Sequence, residues 1–291
     1  MNIGISIDRQ WLHYYVARTP TNELYRSSVR IPKNYLMLLQ TIETLISNMQ
    51  KLYGKHRTLG LSLAEELVSE NQQLADQLKK DIHQRTSIRC TVVLHSQSAT
   101  LAQSHSKKQF KNQKLLGAYL DHGCGIELVE NRQLHAIQAK SYSLWAHSLL
   151  PEFDSVTDGL TPVCHCGQET CLEQFITVEG LERQYHQLVL KDMTLENIYA
   201  QVDNCDIQST RIYRIFLDQL ARSLSKLISR YSPGYLLLFG AVSAYHSLAG
   251  DLKLALVRYC RSDLIPDIIT PEQDAFIYAR GASLLKKKTI I

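Results

Sequence analysis

Three of the chain's seven cysteines fall within eight residues, in the run Cys164-His165-Cys166-Gly167-Gln168-Glu169-Thr170-Cys171. No other stretch limits the possible folds so tightly. Zinc takes four soft or borderline ligands in a tetrahedron, and thiolates bind it well. A Cys-x-Cys pair can present two sulfurs to one ion, and Gly167 lets the backbone turn so that Cys171 can supply the third. The fourth ligand comes from His165 or from elsewhere in the chain. The alternative is three buried thiols acting as small apolar side chains. A loop of Gly167, Gln168, Glu169 and Thr170 is a poor core segment, so zinc is the better reading. Four protein ligands leave no open position, so the metal would hold the fold rather than take part in chemistry.

The other cysteines, Cys90, Cys124, Cys205 and Cys260, are scattered, and the odd total argues against a disulfide framework. A length of 291 residues suits two packed lobes better than one small core. With 45% hydrophobic and 21% charged residues, the balance excludes a disordered or fibrous chain. The net charge of +4 is spread out. The runs Lys107, Lys108, Lys111, Lys114 and Lys286, Lys287, Lys288 lack interleaved aromatics and read as solvated faces, so no nucleic-acid partner is expected. The N-terminal stretch carries Asp8, Arg9 and His13 and no long apolar core, and no window is long enough for a bilayer span. A cytoplasmic protein without a membrane partner is the expectation.

Apolar spacing supplies the architecture. Residues 1–16 read as a strand or the start of a hairpin, with a turn at Thr19–Asn22 and a returning strand over Leu24–Ile31. Tyr35, Leu38, Leu39, Ile42, Leu45, Ile46 and Met49 mark an amphipathic helix. A strand at 57–63, a helix over 65–84, a strand at 90–95 and helical composition over 97–104 follow. The pattern then restarts, with strands at 114–120, 126–129 and 134–137. Helices are predicted at 173–187, 194–202, 211–230, 244–260 and 276–288, with a buried strand at 235–239. Strands and helices alternate in two blocks with a seam near residue 115, which predicts two α/β lobes, 1–115 and 116–291, around a cleft. The closing helix is a candidate to pack back on the first lobe.

The segment Cys164–Glu173 resembles the Cys-x-Cys-Gly-x-x-Gly-Cys-Leu-Glu signature of the ROK family of repressors and sugar kinases. Leu144-Trp145-Ala146-His147 stands where that family carries Glu-x-Gly-His. The resemblance implies His147, Cys164, Cys166 and Cys171 as the zinc ligands, with Thr170 replacing a family glycine. Gln40 to Leu45, Gly123-Cys124-Gly125, Asn131-Arg132, Leu149-Leu150-Pro151, Ser232 to Ser243 and Arg280-Gly281-Ala282 extend it over the whole chain, closest to the fructokinase and N-acetylglucosamine kinase branch. It implies the two-lobed actin-like ATPase (ribonuclease H-like) fold and a homodimer. No helix-turn-helix of the kind the family's repressors carry is expected.

The chain departs from the family where phosphoryl transfer is done. Glycine-rich loops let backbone N–H groups approach phosphates closely. The family's first loop, Asp-x-Gly-Gly-Thr, corresponds to Ser6-Ile7-Asp8-Arg9-Gln10, and its Gly-Thr-Gly loop to Asp121-His122-Gly123. Both place carboxylates in the phosphate zone. The adenosine-side Gly-Gly corresponds to Phe239-Gly240. The family's Asn-Asp, whose Asp takes the proton from the sugar hydroxyl, corresponds to His95-Ser96, and serine is no base at neutral pH without an activator. Ser62-Leu63-Ala64-Glu65 replaces Gly-x-Pro-Gly. Of the sugar contacts, His147 and Glu173 remain, with His95 as a weak third, and Glu173 is alternatively a carboxylate stabilised at a helix start. The expectation is a pseudokinase with a binding or regulatory role, structural zinc, weak or absent ATP and magnesium binding, and a small sugar or metabolite as ligand. Two alternatives stand beside it. One is a divergent ATP-dependent hexose kinase with its base moved to His95, His122 or Asp121. The other is a structural subunit paired with an intact homologue.

Overall fold

The computed structural model describes residues 2–20, 22–54, 58–135 and 145–285. Arg57, Ile137, Leu144 and Lys286 to Lys288, on which parts of the sequence reading fall, lie outside the described residues.

The first sheet grows from an alternation of large and small side chains. β1 (Asn2–Ile7) carries Ile3, Ile5 and Ile7 on one face and Gly4 and Ser6 on the other. It turns at Asp8–Gln10 into β2 (Trp11–Thr19), so residues 1–16 already contain a hairpin, and β2 pairs antiparallel with β3 (Asn22–Arg30). α1 (Tyr35–Tyr53) is capped by Asn34, which accepts from the Met37 N–H, and buries Leu39, Ile42, Ile46 and Met49 at helical spacing. β4 (Thr58–Leu63) repeats the alternation, Leu59, Leu61 and Leu63 against Gly60 and Ser62, and runs parallel to β1. The stretch 65–84 is two helices, α2 (Glu65–Glu70) and α3 (Leu74–Thr86). Asn71 breaks it by taking extended backbone and accepting from the Gln73 N–H at 3.1 Å. β5 (Arg89–Leu94) runs parallel to β4 and completes the order β3-β2-β1-β4-β5. α4 (His95–Ser106) begins at His95, which the sequence pattern assigns to the strand.

The chain continues through β6 (Lys114–Leu120), β7 (Cys124–Glu130), β8 (Gln133–Leu134) and α5 (Ser155–Asp158). The stretch 173–187 divides into α6 (Glu173–Ile176) and α7 (Val178–Val189), because Thr177 caps α7 by accepting from the Gly180 N–H. α8 (Leu195–Asp203), α9 (Ile207–Tyr231), β9 (Tyr235–Phe239), α10 (Leu248–Leu256), β10 (Asp267–Ile269) and α11 (Ile277–Ser283) follow. The second sheet has the order β10-β9-β6-β7-β8. The three-residue edge strand β10 is absent from the sequence reading.

Two compact units result: 1–113 with 127–142 and 273–291, and 114–126 with 143–272. In the first, the large face of the sheet packs with α1 and α3 around Ile42, Ile46, Leu78 and Ile82. The small face takes α11 at backbone distance. An added Cβ would lie 1.8 Å from Ala279 O at Gly4, 1.9 Å from Ala282 O at Gly60, and 1.8 Å from Ser98 O at Gly281. In the second unit α9 buries Phe216, Leu220, Leu224 and Ile228. Its buried Arg222 pairs with Asp158 and donates to the carbonyls of Pro151 and Glu152 at 2.5 and 3.0 Å. A buried guanidinium needs such partners, and these tie loop 151–158 to the helix. No helix among the described residues is long and apolar enough to cross a membrane.

Candidate functional site

A short backbone ladder assembles the cysteine site. Leu150 N–H donates to Thr170 O at 2.9 Å, Leu172 N–H to Ser148 O at 2.9 Å, and Glu173 N–H to Ala146 O at 3.0 Å. This lays 146–150 beside 170–173 and carries His147 to the thiols. The cysteine loop closes on itself, with Gly167 N–H donating to Cys164 O and Cys164 N–H to Gln168 O, both at 2.8 Å. Gly167 sits at φ +85°, in the left-handed region that favours glycine.

The ligand atoms of His147, Cys164, Cys166 and Cys171 all lie within 4.8 Å of one another. Cys164 Sγ is 3.5 Å from His147 Nδ1, and Cys166 Sγ is 3.5 Å from Cys171 Sγ. A tetrahedron on Zn–S bonds of ~2.3 Å separates its sulfurs by about 3.8 Å, so this donor set fits zinc in both chemistry and spacing. Glu173, the first residue of α6, stands against the same site: its Oε1 is 3.2 Å from His147 Nδ1 and accepts from Cys164 Sγ at 2.9 Å. It therefore belongs to a second possible ligand set with His147, Cys164 and His165. Three thiols make the first set the softer one. Burial, then the Glu173 carboxylate, pushes the Cys164 thiol up. Burial would do the same to Cys166, but hydrogen bonds from Gln168, Cys164 and Cys171 and the charge of His147 outweigh it and bring that thiol down.

In the first unit, His95 and Ser96 lie at the start of α4 rather than in a strand. Both are buried. His95 Nδ1 is 2.8 Å from Ser62 Oγ, its ring stacks on Tyr278 at 4.0 Å between centroids, and burial pushes its pKa down to about 3. It is a neutral core residue. Ser62 Oγ continues to Ser98 Oγ at 2.6 Å. Ser96 N–H donates at 2.8 Å to Glu65 Oε1. Glu65 is only 3% exposed, and burial raises its carboxyl to about 8 against the lowering pull of Ser96. The sequence reading passes over Glu65 as part of a lost sugar-contacting segment. The available signal was two adjacent carboxyls, Glu65 and Glu66, directly after the apolar strand Leu59–Leu63.

The loop carboxylates are engaged locally. Asp8 Oδ1 accepts from the N–H groups of Gln10 and Trp11, both at 2.7 Å, and Arg9 pairs with Glu70 at 2.6 Å. Asp121 accepts from His122 N–H through Oδ1 at 2.9 Å and from Ala241 N–H through Oδ2 at 2.8 Å, while Asp121 N–H donates to Gly123 O at 2.9 Å. His122 Nδ1 is 2.8 Å from Glu179 Oε1. Gly240 is needed where it stands: its φ is +91°, and an added Cβ would lie 2.2 Å from Leu120 O. The structure thus brings together Asp8, Arg9 and Gln10 at one hairpin tip. It groups Asp121, His122, Gly123 and Gly240 at another turn, and His147, Glu173 and the cysteines at a third place. Phe239 is a buried residue of β9.

Comparison with known proteins gives one consistent result. The ROK family model matches residues 2–289. An N-acetyl-D-glucosamine kinase of Pasteurella multocida is 22% identical over 98% of this chain and 99% of its own length. A ROK hexokinase of Thermus thermophilus superposes with a TM-score of 0.81 at 18% identity, covering 97% of this chain and 96% of that one. A ROK glucokinase of Streptomyces griseus, solved with glucose and AMPPNP, gives 0.71 at 15% identity over 97% of both chains. The two five-stranded sheets are those of the actin-like ATPase fold.

Proposed function

Because the chain belongs to the ROK family, we propose that it is a divergent ATP-dependent sugar kinase acting on an N-acetylated hexose. The observation that carries this is the end-to-end relationship, 98% of this chain against 99% of the relative, with N-acetyl-D-glucosamine kinases. The expectation of lost catalysis rests on loop and base substitutions alone, and the buried carboxyl of Glu65 beside Ser96 weakens it. Zinc on His147, Cys164, Cys166 and Cys171 is the structural metal of this reading. A homodimer in the cytoplasm is its expected form.

One observation favours the non-catalytic reading. Asp8 accepts from two backbone N–H groups of its own turn, and Asp121 accepts from His122 N–H beside it and from Ala241 N–H in the turn after β9. Those are donors of the type a phosphate would use, so nucleotide must displace both carboxylates or bind elsewhere. Calorimetric titration separates the two. The kinase reading predicts saturable binding of N-acetylglucosamine and of magnesium ATP with dissociation constants below about 1 mM. Binding of the sugar without nucleotide at any magnesium concentration would leave a sugar-binding pseudokinase.

A further inference from the structure

Three buried polar atoms without a hydrogen-bond partner lie near the ends of three neighbouring parallel strands. They are Ser6 Oγ on β1, Glu65 Oε2 just past β4, and Ser96 Oγ just past β5. Unpaired buried polar atoms are costly and uncommon. Ligands of parallel sheets bind beyond the carboxyl ends of the strands, which is where Glu65 and Ser96 stand, with Ser6 one residue short of the end of β1. A ligand rich in hydroxyl groups is the chemistry that would satisfy two hydroxyls and a carboxyl oxygen together.

Of the three residues only Glu65 can hold a proton that a hydroxyl has given up. Its Oε1 is fixed by the Ser96 N–H at 2.8 Å, which leaves Oε2 as the atom with bonding capacity. We propose that Glu65 is the proton acceptor for the sugar hydroxyl, working from the start of α2 in place of Ser96, the second residue of α4. This rests on the sugar-kinase reading above. In the step, the hydroxyl oxygen bonds to the terminal phosphorus of a nucleoside triphosphate while its proton passes to Glu65 Oε2. The bond from phosphorus to the bridging oxygen breaks, its electron pair leaves with the nucleoside diphosphate, and Glu65 then returns the proton to water. α2 is six residues long and has no side-chain cap, so opening its first turn around a ligand sacrifices few interactions.

The ionisable neighbours agree with this role. Burial and then Glu66 hold the proton on Glu65 until about pH 8, near the range in which a general base works best. His95 on α4, stacked against Tyr278 of α11, is neutral there and does not compete. The test is steady-state turnover of N-acetylglucosamine with magnesium ATP by the full chain from pH 6 to 9, with Glu65→Gln beside it. The expected result is a wild-type kcat that rises tenfold per pH unit and levels off near pH 8, and a loss of at least about 100-fold in the isosteric variant with KM unchanged. Wild-type turnover that Glu65→Gln matches within threefold, or that is flat from pH 6 to 9, overturns the assignment and leaves the kinase reading standing. If the variant does not fold, the wild-type profile alone decides. Absence of wild-type turnover overturns both.

Discussion

Thr170 holds a β-branched side chain at φ +58°, a conformation that costs an L-residue roughly 1–2 kcal/mol. The family's glycine at this place is thus explained by backbone geometry, and this chain carries the strain. Thr170→Gly is expected to raise unfolding free energy by about 1 kcal/mol in urea, with zinc content unchanged. Glu65 makes a second residue-scale prediction. Burial raises its folded-state pKa to about 8, above the ordinary carboxyl value of 4.5. Between these pH values the folded chain keeps a proton that the unfolded chain has lost. Stability is therefore fully present below about pH 4.5 and falls as pH rises toward 8, by up to ~1.4 kcal/mol per unit. Glu65→Gln should flatten this decline and make the variant more stable than wild type at pH 8, on the order of a few kcal/mol. Parallel pH dependence in the two proteins would refute the burial argument.

The elements that sequence exposes best are those whose burial pattern and caps agree. The Leu39, Ile42, Ile46 and Met49 stripe fixes α1, and the long periodic run around Phe216 and Leu220 fixes α9. What sequence conceals are breaks made by single polar residues. Asn71 and Thr177 divide helices because their side chains accept from backbone N–H groups two and three residues on, and apolar spacing continues across both. β10 has only three residues, too few for alternation to register. The site divides in the same way. The cysteine cluster is legible because its ligands are local, whereas the Glu65–Ser96 contact joins residues 31 apart that only the parallel pairing of β4 and β5 brings together. The close approach of α11 to α4 offers an element-scale test. Gly281→Ala would drive a Cβ into the Ser98 backbone carbonyl, which cannot swing aside as a side chain could, and should cost about 3 kcal/mol or more. Gly250→Ala in α10 meets nothing within 4 Å and should stabilise by up to about 1 kcal/mol. Equal effects of the two alanines would contradict the close approach of α11 to α4.

At the scale of the whole molecule, the proposed zinc would hold the cysteine loop to its neighbouring helices. The ladder between 146–150 and 170–173 is short, and Leu149, Val163 and Leu160 around it are exposed. Zinc on His147, Cys164, Cys166 and Cys171 would supply cohesion that apolar burial there does not, because a structural site contributes directly to folding free energy. Purified protein is expected to carry one zinc per chain by elemental analysis, and Cys166→Ser should lose it together with a large drop in melting temperature. A metal-free protein with an unchanged melting temperature would return the thiols to the role of small apolar side chains. Whether this frame still transfers phosphate decides between a kinase and a pseudokinase. The direct measurement is phosphorus NMR of the full-length chain with N-acetylglucosamine and magnesium ATP at pH 8. The account predicts a sugar-phosphate resonance growing with ADP in equal amounts. ATP left intact after many hours at enzyme concentrations matching the substrate would contradict it.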